Sequence, residues 1–208
     1  MLILILGGTF SAVASVDRPS NLTPTAERSS QAAVERVYGS HSDRFGYGVS
    51  RLYGTVDDFD VERLHAGWYV DWGVSATPSH RAGLDYAQMI YTLGDSYMPN
   101  ANTIIAIAKA NPGALWLVGN EPDCIYQGNS TPEQYARLYH EIYGLLKTYD
   151  PASQVAIGGI VQATPLRLQW LDAVLETHQA IYGQPLEVDV WNIHAFLLNE
   201  ERGGWGCE

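Results

Sequence analysis

Apolar residues follow two patterns along this chain, and their alternation predicts strands that alternate with helices. Short apolar runs bounded by Gly, Pro and polar residues are typical of buried strands, whereas apolar residues three and four apart are typical of amphipathic helices. Such alternation predicts an α/β fold with a parallel sheet. Six segments fit the strand pattern: Phe45 to Ser50, Gly67 to Val74, Gln88 to Leu93, Ala114 to Gly119, Gln154 to Val161 and Val188 to Phe196.

Three helices are predicted among the later strands. The first covers Ala101 to Ala110 and stops at an Asn-Pro-Gly terminator. The second runs from the N-cap Thr131 to Tyr149, with Gln134 completing a capping box. The third is capped by Thr164 and ends at Gly183.

Polar and aromatic residues gather where several predicted strands end, which favours a barrel over an open nucleotide-binding sheet. No glycine-rich phosphate motif follows any strand, as an open sheet of that kind would require. A catalytic barrel assembles its site from many strand ends. We therefore expect a (β/α)8 TIM-barrel that is incomplete, with about six βα units. The strand-end residues are Arg51, Tyr53, Asp71, Trp72, Asn120, Glu121, Gln162 and His194.

The most informative strand end is the fourth, where the apolar run closes on Gly119-Asn120-Glu121-Pro122. A carboxyl group at the mouth of an apolar strand is well placed to hold and deliver a proton. The alternative interpretation is ordinary turn chemistry, because Asn, Pro and Asp are common where strands close.

Composition narrows the ligand class. The chain has 208 residues, 46% of them hydrophobic, and a formal charge of −11. That charge argues against nucleic acid and anionic membranes, which require clustered Lys and Arg. Six Trp and thirteen Tyr suit a carbohydrate partner, although these rings also serve as core residues. We expect no cofactor and no metal, since the histidines lack ligand spacing, and composition leaves the oligomeric state open.

The N-terminal residues suggest that the protein is exported. Residues 1–15 combine an apolar segment with an Ala-x-Ala pattern, as in the remnant of a signal peptide, but lack its basic start. We therefore predict a secreted, extracellular protein. We expect residues 16–43 to form a polar lead-in and residues 44–208 to form the partial barrel domain. The two cysteines, Cys124 and Cys207, are candidates for a disulfide across one rim, and two unpaired thiols are the alternative.

Three segments together resemble a glycoside hydrolase catalytic core of clan A, and in particular bacterial secreted glycosidase-like proteins. They are the Asn-Glu-Pro motif, Gly67 to Trp72, and Trp191 to His194. The resemblance implies hydrolysis of O-glycosyl bonds in a poly- or oligosaccharide, with Glu121 as the general acid/base and Asn120 bonding the sugar 2-hydroxyl. It also implies a Glu nucleophile after a seventh strand. We expect that strand beyond Glu208, and we expect the chain as given to be truncated and inactive.

The other site candidates each have a structural alternative. His194 is a substrate or carboxylate donor, or else a core histidine. Asp71 and Trp72, and less strongly Arg51 and Tyr53, are candidates for substrate contact, with a rim ion pair and core packing as alternatives. Trp205 is either a sugar-stacking surface or a hydrophobic anchor. The rival function is a non-catalytic carbohydrate-binding or surface-interaction protein on the same scaffold.

Overall fold

The described part of the protein is a mixed α/β structure of short, mostly parallel strands and three α-helices. The computed structural model describes residues 45–195 and, as backbone, a strand at residues 3–6. The strands are β1 Ile3–Leu6, β2 Gly46–Gly48, β3 Trp68–Val70, β4 Asp85–Tyr86, β5 Gln88–Leu93, β6 Ser96–Met98, β7 Leu115–Asn120, β8 Gln154–Gly159 and β9 Trp191–His194; the helices are α1 Ala101–Ala110, α2 Pro132–Tyr149 and α3 Pro165–Tyr182.

The strands form three hydrogen-bonded sheets whose parallel members run in one order. The sheets are β2-β3-β4, β6-β5-β7-β8 and β1-β9. All pairs are parallel except β5 with β6 and β1 with β9. Parallel bridges join Ala156 to Val190 and Ile160 to Ile193, linking β8 to β9. The C-terminal ends of β2, β3, β5, β7, β8 and β9 therefore lie on one side of the protein.

The predicted helices form with the expected signals. Thr131 and Gln134 make the reciprocal capping box of α2, and Thr164 accepts a hydrogen bond from the Arg167 backbone at the start of α3. Gly183 ends α3 in the left-handed conformation, with φ of 72°, which glycine adopts without steric cost. Local propensity and tertiary packing agree in this part of the chain.

Two apolar layers lie on the two faces of the sheet. Ile90, Trp116 and Val118 point towards the helices and pack in one core with residues of α1, α2 and α3. Met89 and Leu117 point to the other face, where they pack with Ala156, Val190 and residues of β3. Burial on both faces explains why β7 is a continuous apolar run in the sequence.

The barrel prediction is only partly matched. The described sheets do not close, and three α-helices are present where about six βα units were expected. The connections after β2 and β3 contain only 3-10 turns, at Val56–Asp58, Glu62–Leu64 and Arg81–Gly83. These segments lack a sustained three- and four-residue apolar period, so they cannot bury one face of an α-helix. Three short strands, β1, β4 and β6, were not predicted.

Within the part of the chain that the structure describes, no helix combines the length and apolar character needed to cross a membrane.

Candidate active site

Glu121 occupies the mouth of β7, where the backbone turns sharply. Gly119 has a φ of 92° and Glu121 a φ of 46°, both in the left-handed region. A non-glycine residue in that conformation has a strained backbone, and such strain recurs at functional sites. The Glu121 amide donates to the Gly159 carbonyl at 3.0 Å, and the Glu121 carbonyl accepts from the Gly128 amide at 3.1 Å. Its backbone is therefore held on both sides.

The Glu121 carboxylate is bonded to His194. Its Oε1 lies 2.8 Å from His194 Nδ1, with side-chain exposures of 12% for Glu121 and 1% for His194. Glu121 directly follows β7 and His194 is the last residue of β9, so the histidine reaches past the strand between them, β8. Gly159 of β8 makes this possible, because a Cβ there would lie 2.7 Å from His194 Nε2. His194 is thus a carboxylate partner, one of the two interpretations open from sequence.

Two buried amides lie at the same strand ends. Asn120 places its Nδ2 3.5 Å from Gln127 Oε1, and Asn192 lies two residues before His194 on β9. Among the described residues, neither Asn120 Oδ1 nor Asn192 Oδ1 has a hydrogen-bond partner. Buried acceptors are normally satisfied, so two unsatisfied amide oxygens at these strand ends are unusual. Asn192 was missed from sequence, although strand alternation places it on the same face as His194.

The loop that carries Glu121 is anchored by a buried ion pair. Arg167 Nη1 lies 3.2 Å from Asp123 Oδ2, and both side chains are fully buried. Arg167 also donates to the Asp123 carbonyl at 3.0 Å, and the Val161 amide donates to Asp123 Oδ1 at 3.2 Å. Burial raises the pKa of Asp123 to about 6, although Arg167 opposes that shift. Sequence reasoning missed this pair, since its members are 44 residues apart.

Further contacts tie the end of the same loop to its neighbours. Trp170 Nε1 of α3 donates to the Ser130 carbonyl at 3.2 Å, and Ser130 Oγ donates to the Gly94 carbonyl at 2.7 Å. The loop is therefore fixed at both ends, and Glu121 is carried by a rigid support. Cys124 within it is buried and disulfide-bonded. Its predicted partner Cys207 lies outside the described residues, so that pairing stays a prediction.

The predicted rim residues after β2 and β3 contact one another. Arg51 Nε lies 2.9 Å from Asp71 Oδ2, and Arg51 Nη2 lies 3.1 Å from Asp71 Oδ1. Tyr86 Oη donates to Asp71 Oδ1 as well. The rim ion pair considered from sequence is therefore present. Trp72 is 36% exposed and Tyr53 is 80% exposed. Substrate contact by these four residues stays a prediction, as it does for Trp205, which lies outside the described residues.

No group of three or more His, Cys, Asp or Glu side chains is arranged to hold a metal ion in the regions that the structure describes.

The fold and the site together define an α/β protein with a histidine-bonded carboxyl group at the end of a parallel strand. A family model described as glycosyl hydrolase catalytic core matches residues 47–203. This match covers most of the chain, and the protein belongs to the glycosyl hydrolase catalytic core family. No curated protein matches the chain.

Solved glycosidase structures share the fold at low sequence identity. The endo-β-1,3-glucanase of GH128 subgroup II from Pseudomonas viridiflava has a TM-score of 0.55 and 18% identity, over 70% of this chain and 57% of that one. The subgroup II enzyme from Sorangium cellulosum has a TM-score of 0.52 and 18% identity, over 71% and 59%. A subgroup I endo-β-1,3-glucanase from Amycolatopsis mediterranei has a TM-score of 0.50 and 18% identity, over 76% and 59%. The chain thus spans less than two thirds of the length of these structures.

Proposed function

We propose that this protein is a glycoside hydrolase that cleaves O-glycosyl bonds of a β-1,3-glucan, with Glu121 as its general acid/base. The observation that carries the proposal is the bond between Glu121 and the buried His194 at the end of β7. The family match supports glycosidase chemistry. The similar structures are described as endo-β-1,3-glucanases, one of them in complex with laminaritriose, which supports the choice of glucan.

The hydrogen bond to His194 assigns different tasks to the two oxygens of Glu121. A carboxylate oxygen only accepts, so in the ionised state His194 donates its Nδ1–H to Oε1. Oε1 can keep this bond when the carboxyl group is protonated, and the proton then resides on Oε2. Oε2 is therefore the atom that delivers the proton to the leaving oxygen.

The proposed reaction is a retaining double displacement. A second carboxylate attacks the anomeric carbon while Glu121 protonates the departing glycosidic oxygen, so one C–O bond forms as the other breaks. Glu121, now ionised, then takes a proton from water, which attacks the anomeric carbon and releases the second carboxylate. Retaining enzymes place the two carboxyl groups about 5–5.5 Å apart. We propose that the second carboxylate comes from a residue outside the described range 45–195.

Asn120 and Asn192 are proposed to bind substrate hydroxyls. Both offer a buried acceptor oxygen that has no partner in the described residues. A sugar hydroxyl that donates to such an oxygen satisfies it, and a bond to the 2-hydroxyl that strengthens in the transition state contributes to the rate.

We also propose that the described strands belong to a (β/α)8 barrel in a secreted protein. The parallel order from β2 to β9, with the strand ends on one side, supports the barrel. The disulfide at Cys124 supports export, because disulfides persist in oxidising compartments.

The test is hydrolysis of laminarin by the full-length protein and by its Glu121→Gln variant. Loss of general acid/base catalysis is expected to lower kcat/KM by about 100- to 10,000-fold. The loss should be smaller for aryl glycosides with acidic leaving groups, which need less proton transfer. Glu133→Gln, a change at an exposed carboxylate on α2, is the matched control.

Two outcomes would contradict the proposal. Unchanged turnover in Glu121→Gln would remove Glu121 from the mechanism. A wild-type protein that binds laminarin without cleaving it would instead support the binding function. Proton NMR of the first anomer released tests retention, since inversion of configuration would exclude the double displacement.

A further inference from the structure

Glu121 is the first residue of a four-residue turn, and Asp123 is one of the two central residues of that turn. The Cys124 amide donates to the Glu121 carbonyl at 3.0 Å, which closes the turn. Pro122 occupies the second position, where such turns favour proline. A contact that fixes Asp123 therefore also fixes the backbone from which the Glu121 side chain projects.

Asp123 is held through both its main chain and its side chain by a residue of α3. Arg167 Nη1 donates to the Asp123 carbonyl at 3.0 Å and to Asp123 Oδ2 at 3.2 Å. The Val161 amide adds a bond to Asp123 Oδ1 at 3.2 Å. The side chains of Asp123 and Arg167 are fully buried, so water does not compete for the bonds between them. The turn is therefore attached to the helix-packed core by bonds that are shielded from solvent.

The backbone conformation of Glu121 depends on such an attachment. Its φ of 46° lies in the left-handed region, which costs free energy for a residue that has a side chain. A strained backbone persists only where the surrounding structure holds it. The angle φ sets the direction of the Cα–Cβ bond relative to the preceding peptide, so it also sets where the carboxyl group lies. The 2.8 Å bond from Glu121 Oε1 to His194 Nδ1 depends on that direction.

We propose that Arg167 is a positioning residue for acid/base catalysis, which holds the Asp123 turn and thereby the Glu121 carboxyl group. The inference rests on the proposed function and deepens it. The Arg167 side chain is fully buried, so it acts through Asp123 and not on the substrate. A misplacement of about 1 Å in a reacting group can lower the rate by about 100-fold. A change at Arg167 should therefore lower kcat and leave KM close to the wild-type value.

The test is hydrolysis of laminarin by the full-length protein and its Arg167 variants. Arg167→Met removes the donor to Asp123 and is expected to lower kcat by about 10- to 100-fold. Arg167→Lys keeps a cation that can donate to Asp123, although without the planar guanidinium, so part of the lost kcat should return.

Lys147→Met is the matched control. Lys147 Nζ of α2 lies 2.6 Å from Asp189 Oδ2, and Asp189 accepts from the Val155 amide near the start of β8. The variant breaks an ion pair of the same helix-packed core at the end of β8 that is remote from the Glu121 turn. Its kcat should stay at the wild-type value.

A second variant separates the loss of positioning from a loss of folding. Asp123→Leu combined with Arg167→Met removes both buried charges. Replacing a buried ion pair by apolar residues of similar volume is often neutral for stability. The melting temperature should therefore stay close to that of the wild type, while kcat falls as it does in Arg167→Met alone.

A double-mutant cycle with Glu121→Gln separates positioning from a general change in the site. Arg167→Met is measured in the wild type and in the Glu121→Gln background, with laminarin as substrate. If Arg167 acts through the Glu121 carboxyl group, its substitution should have no further effect on kcat once that group is an amide.

The outcomes separate this inference from the proposed function. A fall in kcat in the folded double variant, with no further fall in the Glu121→Gln background and a normal Lys147→Met, supports it. A wild-type kcat in that double variant, beside the expected loss in Glu121→Gln, overturns the positioning role alone. Losses that multiply in the Glu121→Gln background also overturn it, because Arg167 would then act by another route. Full turnover in Glu121→Gln overturns the proposed function and this inference together.

Discussion

The two halves of the described sheet are built differently. Strands β5, β7 and β8 are backed by three α-helices and share one large apolar core with them. Strands β2, β3 and β4 are joined by 3-10 turns, and a small cluster that includes Tyr69 and Tyr86 packs beside them. We call these the helix-backed half and the helix-poor half. Glu121 lies in the helix-backed half, whereas the rim ion pair of Arg51 and Asp71 lies in the helix-poor half.

The same chemistry therefore has two roles. Asp123 and Arg167 form a fully buried ion pair, which ties the Glu121 loop to a helix. Arg51 and Asp71 form an ion pair at the rim, with the arginine 56% exposed. A buried charge depends on its partner far more than an exposed one does. Glu121, the proposed acid/base residue, thus lies in the half whose polar contacts cost more free energy to break.

Breaking the buried ion pair should have the largest effect on stability. Asp123→Asn leaves the buried Arg167 charge without its counter-ion, and we expect a loss of about 3–5 kcal/mol in the free energy of unfolding. Urea denaturation measures this loss. Asp60→Asn, which breaks an exposed ion pair with Arg63 in the helix-poor half, is the control. A loss in Asp123→Asn as small as in the control would mean that the buried pair is not an anchor.

Removing one buried hydroxyl should have the next largest effect. Tyr135 Oη donates to the Val118 carbonyl at 2.7 Å and accepts from the Gly158 amide at 2.6 Å. Tyr135→Phe leaves the buried Gly158 amide without this acceptor, so we expect a loss of about 1–3 kcal/mol. The loss of unfolding free energy is obtained from the shift in the urea midpoint, provided that the dependence of this free energy on urea concentration is unchanged.

Tyr139→Phe is a matched control for that change. Tyr139 Oη donates to the Val155 carbonyl at 3.3 Å, and that carbonyl also accepts from the Asp189 and Val190 amides. Tyr139→Phe should therefore lower the free energy of unfolding by less than Tyr135→Phe does. A larger loss in Tyr139→Phe than in Tyr135→Phe would contradict the role given to the Tyr135 hydroxyl, which bonds to both β7 and β8.

Acid should weaken the helix-backed half through His178. Burial, together with the neighbouring His140, lowers the pKa of His178, although its bond to the Gln184 carbonyl opposes this. As the pH falls, His178 in the unfolded chain binds a proton near the ordinary histidine pKa of about 6.5. His178 in the folded protein binds its proton only at a lower pH. Stability is therefore present above about pH 6.5 and is lost as pH falls through the folded pKa.

The measurement is the free energy of unfolding at several pH values for the wild type and His178→Gln. The variant should show a shallower decline as the pH falls below about 6.5. Identical declines in both proteins would contradict the role given to His178.

The smallest effect is expected from the exposed ion pair of the helix-poor half. Arg51→Gln should cost about 0–1 kcal/mol, because exposed pairs contribute little. Asp71 also keeps hydrogen bonds from Tyr86 Oη and from the Gly73 amide. Urea denaturation, run beside Asp123→Asn, tests the comparison directly. A loss equal to that of the buried pair would erase the distinction between the two halves.

The elements of the helix-backed half could be predicted from the sequence. The bounds of α1 and α2 follow the apolar period and its caps, and β5 matches its predicted range from Gln88 to Leu93. In the helix-poor half the strands are shorter than predicted, at Gly46–Gly48 and Trp68–Val70. An apolar run predicts which residues are buried, but it does not show which of them form strand hydrogen bonds. In the helix-poor half, buried residues continue into turns that lack such bonds, so the strands are shorter than the apolar runs.

The sequence by itself determined the alternating strands and helices, the apolar run of β7 and the candidate acid Glu121 at its end, because these depend on local periodicity and strand-end chemistry. Only the tertiary structure decided which groups meet Glu121. His194 is 73 residues away and contacts it because Gly159 leaves room between the two strands. The Asp123–Arg167 anchor likewise brings together residues that are 44 positions apart. Contacts across such separations follow from how elements pack, and no local pattern encodes them.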